Sequence, residues 1–204
     1  MQKTYPDQDY NAARYTLSAA RLAQLPEDSG FEVAFAGRSN AGKSSAVNAL
    51  TRQNKLARTS KTPGRTQQIV IFEMNNNRRL MDLPGYGYAK VPEALRKDWK
   101  QLMAEYFAIR KSLQGVVLLM DVRHPMKPFD EQMLVWSVRN MIPCHILLTK
   151  ADKLKRGPAQ AALLKLKRNL PELASAQLFS AKTRDGVGPL IEKLNGWLQL
   201  PYEK

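Results

Sequence analysis

Cysteine occurs once in these 204 residues and histidine twice. An intramolecular disulfide is therefore impossible. The histidines, His124 and His145, lie on separate segments, so neither a Cys/His metal spacing nor a Ser-His-Asp arrangement has support. Cys144 sits in the apolar run 142–148 and reads as a small buried hydrophobe. No apolar stretch approaches the ~20 residues that span a bilayer. The opening MQKTYPDQDY is too polar for a secretory signal. Together these absences lead to the expectation of a cytoplasmic protein. Acid is scarce too: 18 Asp and Glu stand against 32 Lys and Arg, a formal net charge of +14 and a pI near 10.0. A surface this basic attracts polyanions, and RNA, DNA or a ribonucleoprotein fits better than a merely solvated basic face. Such affinity falls steeply with salt. A membrane surface fits less well, because the most basic helix, Lys153 to Arg168, mixes its cations with Ala and core-facing Leu.

Apolar residues make up 44% and charged ones 25%, an ordinary globular balance, and the length suits one α/β domain. Residues 1–30 read as a polar N-terminal extension with a weak helical pattern over Ala12 to Leu25, ended by the turn cluster Pro26-Glu27-Asp28-Ser29-Gly30. Residues 31–204 read as one domain without repeats. Strands are expected at 31–36, 67–74, 78–83, 115–121, 144–149 and 177–179, giving a mostly parallel six-stranded sheet with one antiparallel edge strand. Asn75-Asn76-Asn77 suits the hairpin turn that makes the antiparallel pair. Helices are expected after the first strand and at 92–110, 129–140, 158–169 and 187–200, on both faces. Trp99, Trp136 and Trp197 fall on these helices and read as core or interface.

The most informative segment is GRSNAGKSS at 37–45, which has the G-x-x-x-x-G-K-[ST] spacing of a phosphate-binding loop. Gly37 and Gly42 let the backbone curl so that successive N–H groups face phosphate oxygens. Lys43 brings an ammonium to the β- and γ-phosphates, Ser44 offers a hydroxyl to Mg²⁺, and the following helix adds its positive end. A P-loop alone is compatible with ATPases, kinases and GTPases. Asp82-Leu83-Pro84-Gly85 matches D-x-x-G: Asp82 would hold Mg²⁺ through a water, and the Gly85 N–H would meet the γ-phosphate. Thr149-Lys150-Ala151-Asp152 matches [NT]-K-x-D. There the Asp152 carboxylate accepts two hydrogen bonds from guanine, which adenine cannot supply, while the Lys150 stem packs on the base. Thr149 stands where Asn is commoner, so a carboxamide contact is shortened or lost. Phe179-Ser180-Ala181-Lys182 supplies backbone amides for the guanine O6. Between loop and hairpin lies 59–66, TSKTPGRT, a switch loop in which Thr66, or in second place Thr62, would ligate Mg²⁺.

GRSNAGKSS, SKTPGRTQ and DLPGYGYA, in this order, resemble the YihA/YsxC (EngB) family of bacterial ribosome-assembly GTPases within the translation-factor-related class. The likeness runs over about 20–200. It implies a Ras-like P-loop G domain binding GTP or GDP and Mg²⁺, maturation of the large ribosomal subunit with its rRNA, and a link to cell division and septation. A monomer with no membrane partner and no protein substrate is expected. Nucleotide contacts are expected from Gly37, Arg38, Ser39, Asn40, Ala41, Gly42, Lys43, Ser44 and Ser45; from Gly64, Arg65, Thr66, Gln67 and Gln68; from Asp82, Leu83, Pro84 and Gly85; and from Thr149, Lys150, Ala151, Asp152, Phe179, Ser180 and Ala181. The metal set is Ser44, Thr66 and, through water, Asp82. Lys43, Thr66, Gly85 and Asn40 are the catalytic candidates. Asn40 matches the residue by which related GTPases coordinate K⁺, or else caps the loop. Tyr86 follows Gly85 where a Ras-like enzyme carries the Gln that orients water, which implies slow intrinsic hydrolysis. The rival reading is an RNA-binding module whose nucleotide is structural.

Overall fold

A computed structural model describes residues 8–57, 68–86 and 92–200. The strands are β1 (Arg14–Ala19), β2 (Phe31–Gly37), β3 (Ile69–Met74), β4 (Arg78–Asp82), β5 (Leu113–Asp121), β6 (Cys144–Thr149) and β7 (Ala174–Leu178). The helices are α1 (Gln8–Asn11), α2 (Lys43–Thr51), α3 (Glu93–Ile109), α4 (Pro128–Arg139), α5 (Arg156–Lys167) and α6 (Val187–Leu198). One sheet runs in the order β1-β3-β4-β2-β5-β6-β7. Every neighbouring pair is parallel except β1–β3 and β3–β4, so β3 alone runs against the rest.

Alternation along the central strands sorts the core into two layers. Ala34, Ala36, Val116, Leu118, Met120, Ile146 and Leu148 face α3, α4 and α5. Val33, Phe35, Val117, Leu119 and Leu147 face α2 and α6. Strands buried on both faces read as near-continuous apolar runs, which is why β5 and β6 were legible from composition. In α6 the apolar residues Val187, Leu190, Ile191, Leu194 and Leu198 recur at helical spacing and line one buried face. The helix stops where Gln199 turns left-handed, and the Arg78 guanidinium donates to the Leu198 and Gln199 carbonyls at 2.6 and 2.8 Å. Trp99 is buried, and Trp136 and Trp197 pack half-buried against the two layers.

Two sequence expectations change. The helical pattern over Ala12 to Leu25 is instead the strand β1 followed by a short 3-10 turn at Leu22–Gln24. The sheet accordingly has seven strands, not six, and the antiparallel strand β3 lies second from the edge. The physical reason is tertiary. A β3 at the edge would leave its outer N–H and C=O groups unpaired, and β1 pairs with them from Arg14↔Glu73 to Ala19↔Ile69. That pairing outweighs the local helix preference of an alanine-containing stretch.

At the sheet end where β2 starts, Glu32 is fully buried and accepts from Arg79 at 3.2 Å and from Arg110 at 2.6 and 2.9 Å. Asp28, its carboxyl held below the ordinary range by Ser112 and Lys111 N–H groups against the opposing effect of burial, ties the 26–30 turn to the start of β5. Cys144 is buried, which pushes its thiol up to about 12 and leaves it inert.

His145 is also buried between β6 and β7, with Nδ1 2.8 Å from the Ser175 hydroxyl and Nε2 2.8 Å from Gln177 Oε1. Gln177 Nε2 donates to the Gly186 carbonyl at 2.7 Å, so Oε1 is the acceptor and His145 carries its proton on Nε2. The ring is neutral and satisfied, a structural histidine. Burial, with Lys193 and Lys167 nearby, lowers its pKa from 6.5 to about 4. The unfolded chain therefore binds this proton more readily, and the contribution is whole above pH 6.5 and lost as pH falls toward 4. Urea titrations are expected to show up to roughly 3 kcal/mol of acid-dependent loss in this window that His145→Gln abolishes.

Candidate functional site

The motif segments all leave the carboxyl ends of parallel strands, the edge at which open α/β sheets bind ligands. Gly37 ends β2, Asp82 ends β4, Asp121 ends β5 and Thr149 ends β6. The P-loop follows Gly37, whose α-carbon lies so close to β5 that a Cβ would sit 2.8 Å from the Leu119 carbonyl oxygen. Arg38 is half-buried, Asn40 is exposed and left-handed (φ 64), and the Ala41 N–H returns to the Arg38 carbonyl at 2.9 Å. Gly42, with φ +94, is the last residue before α2 and takes a conformation that side chains rarely adopt. Lys43, Ser44 and Ser45 form the first turn of α2, where the helix dipole favours an anion.

The Lys43 ammonium pairs with Asp82 Oδ1 across the loop, with both side chains largely buried. The cation of the P-loop and the carboxylate of the D-x-x-G segment are thus neighbours. Leu83 N–H continues the sheet by donating to the Phe35 carbonyl at 2.9 Å, and the Pro84 carbonyl accepts from the Trp99 indole at 3.2 Å. Gly85 lies against the P-loop, and a Cβ on it would be 3.6 Å from Ser39 N. The Ser39 N–H donates to the Tyr86 carbonyl at 2.8 Å.

In the Thr149–Asp152 segment, Lys150 is left-handed (φ 57) and its ammonium lies 3.0 Å from Asp121 Oδ2. Asp121 also holds Arg123 at 2.7 and 2.9 Å, and Arg123 first, then Lys150, keeps its carboxyl far below the usual carboxylate range against the effect of burial. The Ala151 N–H donates to the Phe179 carbonyl at 3.1 Å. The buried Ser180 hydroxyl donates to Asp152 Oδ1 at 2.8 Å and lowers its pKa, so the carboxylate is ionised and aimed. Ser180 in turn accepts the Thr183 N–H at 3.2 Å. One carboxylate oxygen is engaged by the 179–184 loop, which joins two sequence motifs into one unit.

The structure links the P-loop to Asp82 through Lys43 and to Thr149 through Ala41, and links Ala151 and Asp152 to Phe179 and Ser180. Gln68 is exposed and directly precedes β3. Thr62, Gly64, Arg65, Thr66 and Gln67 lie outside the described residues. The Thr149 hydroxyl is buried and donates to the P-loop Ala41 carbonyl at 2.6 Å, with the Met120 carbonyl 3.1 Å away. Sequence reasoning missed Asp121 as the anchor of Lys150. The signal available was its position at the end of β5, where it pairs in register with Thr149. It also missed Asp130, buried on α4, which no motif marks. Among the described residues no group of three or more His, Cys, Asp and Glu gathers as a metal site, and no helix is long and apolar enough to cross a membrane.

A P-loop followed by D-x-x-G and by a [NT]-K-x-D carboxylate, at the carboxyl edge of one mostly parallel sheet, defines a P-loop GTPase. A family model described as "50S ribosome-binding GTPase" matches residues 32–150. A probable GTP-binding protein EngB of Xanthomonas campestris pv. campestris (strain 8004) is 53% identical over 195 residues, covering 94% of each chain. A protein of the same name from Xanthomonas oryzae pv. oryzae (strain PXO99A) is 54% identical over 195 residues, again 94% of each. A crystal structure of a probable GTP-binding protein engB matches with a TM-score of 0.66 at 25% identity, over 83% of this chain and 100% of that one. Aquifex aeolicus Era, at 18% identity and a TM-score of 0.60 over 85% of this chain and 57% of that one, shares the fold. The chain belongs to the EngB family of GTPases.

Replacing Thr149 by Val keeps the shape and removes the donor that holds Ala41. Leaving that buried carbonyl unpaired is expected to cost about 1–3 kcal/mol of stability and to weaken GDP binding roughly tenfold. Urea unfolding and calorimetric GDP titration check both numbers.

Proposed function

We propose that this GTPase is a slow, nucleotide-dependent switch that acts in the cytoplasm on precursors of the large ribosomal subunit. The observation that carries the nucleotide side is the Asp152 carboxylate, oriented by Ser180 and set across from the Lys43 end of the P-loop. The guanine N1–H and exocyclic amine satisfy that carboxylate as a pair. Lys43 and the first-turn amides of α2 would bind the phosphates. Mg²⁺ fits the Ser44 hydroxyl and the Asp82 carboxylate, since this ion keeps several waters and takes few protein ligands beside phosphate oxygens. Bound there, it would neutralise charge on the β- and γ-phosphates. Thr66 would complete its shell in the triphosphate state.

Slow turnover follows from Tyr86, which is buried and donates its hydroxyl to Asp130, so it does not orient a water. Asn40 is exposed on the loop beside the phosphate amides and suits a K⁺ ion that would offset transition-state charge. GTP turnover is expected to be faster in KCl than in NaCl, with Asn40→Ala erasing the difference; equal rates for both proteins in both salts dispose of the cation.

For the ribosomal partner, the support is charge and kinship. Between Lys153 and Leu170 the cations Lys153, Lys155, Arg156, Lys165, Lys167 and Arg168 are all exposed and no acid intervenes. Lys153, Lys155 and Arg156 directly follow the Thr149–Asp152 segment, and the set suits a phosphate backbone. The family's link to division and septation would follow from large-subunit supply. Co-sedimentation with large subunits is expected in a GTP analogue, to weaken in GDP, and to decline as salt rises. Equal binding in both nucleotide states would leave the alternative of an RNA-binding module with structural nucleotide. Asp152→Asn is expected to move preference from guanine to xanthine nucleotides, because the amide donates to the xanthine 2-oxo group. Retained GTP affinity in that variant sinks the base assignment.

A further inference from the structure

Tyr86 is held from three directions. Its carbonyl accepts the Ser39 N–H of the P-loop at 2.8 Å, which makes a strand-like bridge between Arg38 and Tyr86. Its ring lies 5.2 Å from that of Trp99 and 5.8 Å from that of Phe129. Its hydroxyl donates to Asp130 Oδ1 at 2.8 Å, inside the protein. Asp130 is 1% exposed, and its other oxygen accepts the Lys127 N–H at 2.9 Å, so one carboxylate caps α4 and anchors Tyr86. Two residues earlier the Pro84 carbonyl accepts from Trp99 on α3. The D-x-x-G segment is therefore fastened to the P-loop on one side and to α3 and α4 on the other.

That fastening bears on which nucleotide fits. A γ-phosphate met by the Gly85 N–H must lie between Gly85 and the P-loop. Here Gly85 lies directly against the loop, and the Tyr86 carbonyl occupies the Ser39 amide. A triphosphate has to part the Arg38–Tyr86 bridge, which pulls on the buried tyrosine. A diphosphate, which ends at the β-phosphate near Lys43, leaves it in place.

We propose that Tyr86 and Asp130 form a latch that sets the preference between guanosine diphosphate and triphosphate, with Asp130 as a positioning residue that acts through Tyr86. The latch rests on the nucleotide site described above. Its strength enters triphosphate affinity alone, because the apparent Kd is the intrinsic Kd divided by the fraction of protein in the competent, parted form. Burial, with Asp130 beside it, holds the Tyr86 phenol protonated as the donor, and burial raises the Asp130 carboxyl.

The test is calorimetry of the full chain with GDP and with a non-hydrolysable GTP analogue in magnesium buffer. Tyr86→Phe keeps the ring and removes the bond. Analogue affinity is expected to rise about tenfold while GDP affinity stays within twofold. Asp130→Asn offers one acceptor to two donors and is expected to shift the ratio in the same direction; the double variant adds less than the sum of the two. Trp99→Phe loosens the Pro84 anchor and is a second, independent route to the same shift. Tyr10→Phe removes an equally buried bond, to Asn195 at 2.8 Å, and is expected to lower stability without moving the ratio. A ratio within twofold of wild type in folded Tyr86→Phe and Trp99→Phe, or equal shifts for both nucleotides, overturns the latch. Failure of the wild type to bind GDP would overturn the site reading instead.

Discussion

Inward-facing amides hold their geometry only if the outside of their loop is held, and here the Thr149 hydroxyl holds it. Its bond to the Ala41 carbonyl joins the turn of the P-loop to the end of β6, 108 residues on in the chain. The loop needs such a tether because it carries two glycines, which lose the most conformational freedom on folding. Gly37 and Gly42 make the curl sterically allowed; Thr149 makes it persist. The same threonine starts the base-facing segment, so the parts of the site that would grip phosphates and purine share one mechanical base.

Electrostatics at this edge is arranged in pairs although the chain is strongly basic. Lys43 has Asp82, Lys150 has Asp121, and Asp152 has Ser180 and, at 3.8 Å, Lys153. Pairing fixes where each charge sits before a ligand arrives. Part of the excess positive charge lies on exposed residues of α5 and its flanks.

The two layers of the core divide the work as well. The P-loop helix α2 packs with α6 on one face of the sheet. The segment after Asp82 is fastened to α3 and α4 on the other. The D-x-x-G segment thus bridges the layers, tied to the start of α2 through Lys43 and to α3 and α4 through Trp99 and Asp130.

Motifs and strand patterning were legible because they are local. The spacing of Gly37, Gly42 and Lys43, the two-residue gap from Asp82 to Gly85, and the apolar runs of β5 and β6 each express a constraint that neighbours in sequence satisfy together. They placed the phosphate and base segments at strand ends and the β3–β4 hairpin between them. β1 was not legible, since its reason for being a strand is an open edge on β3, some fifty residues away. Nor were the roles of Thr149, Asp121 and Asp130, each of which binds a partner from another element. The sequence by itself determined the chemistry at the sheet edge, because phosphate and guanine dictate residue types at short spacing. Only the tertiary structure decided what holds those residues still, because that depends on which buried donors and acceptors from distant segments are left for one another.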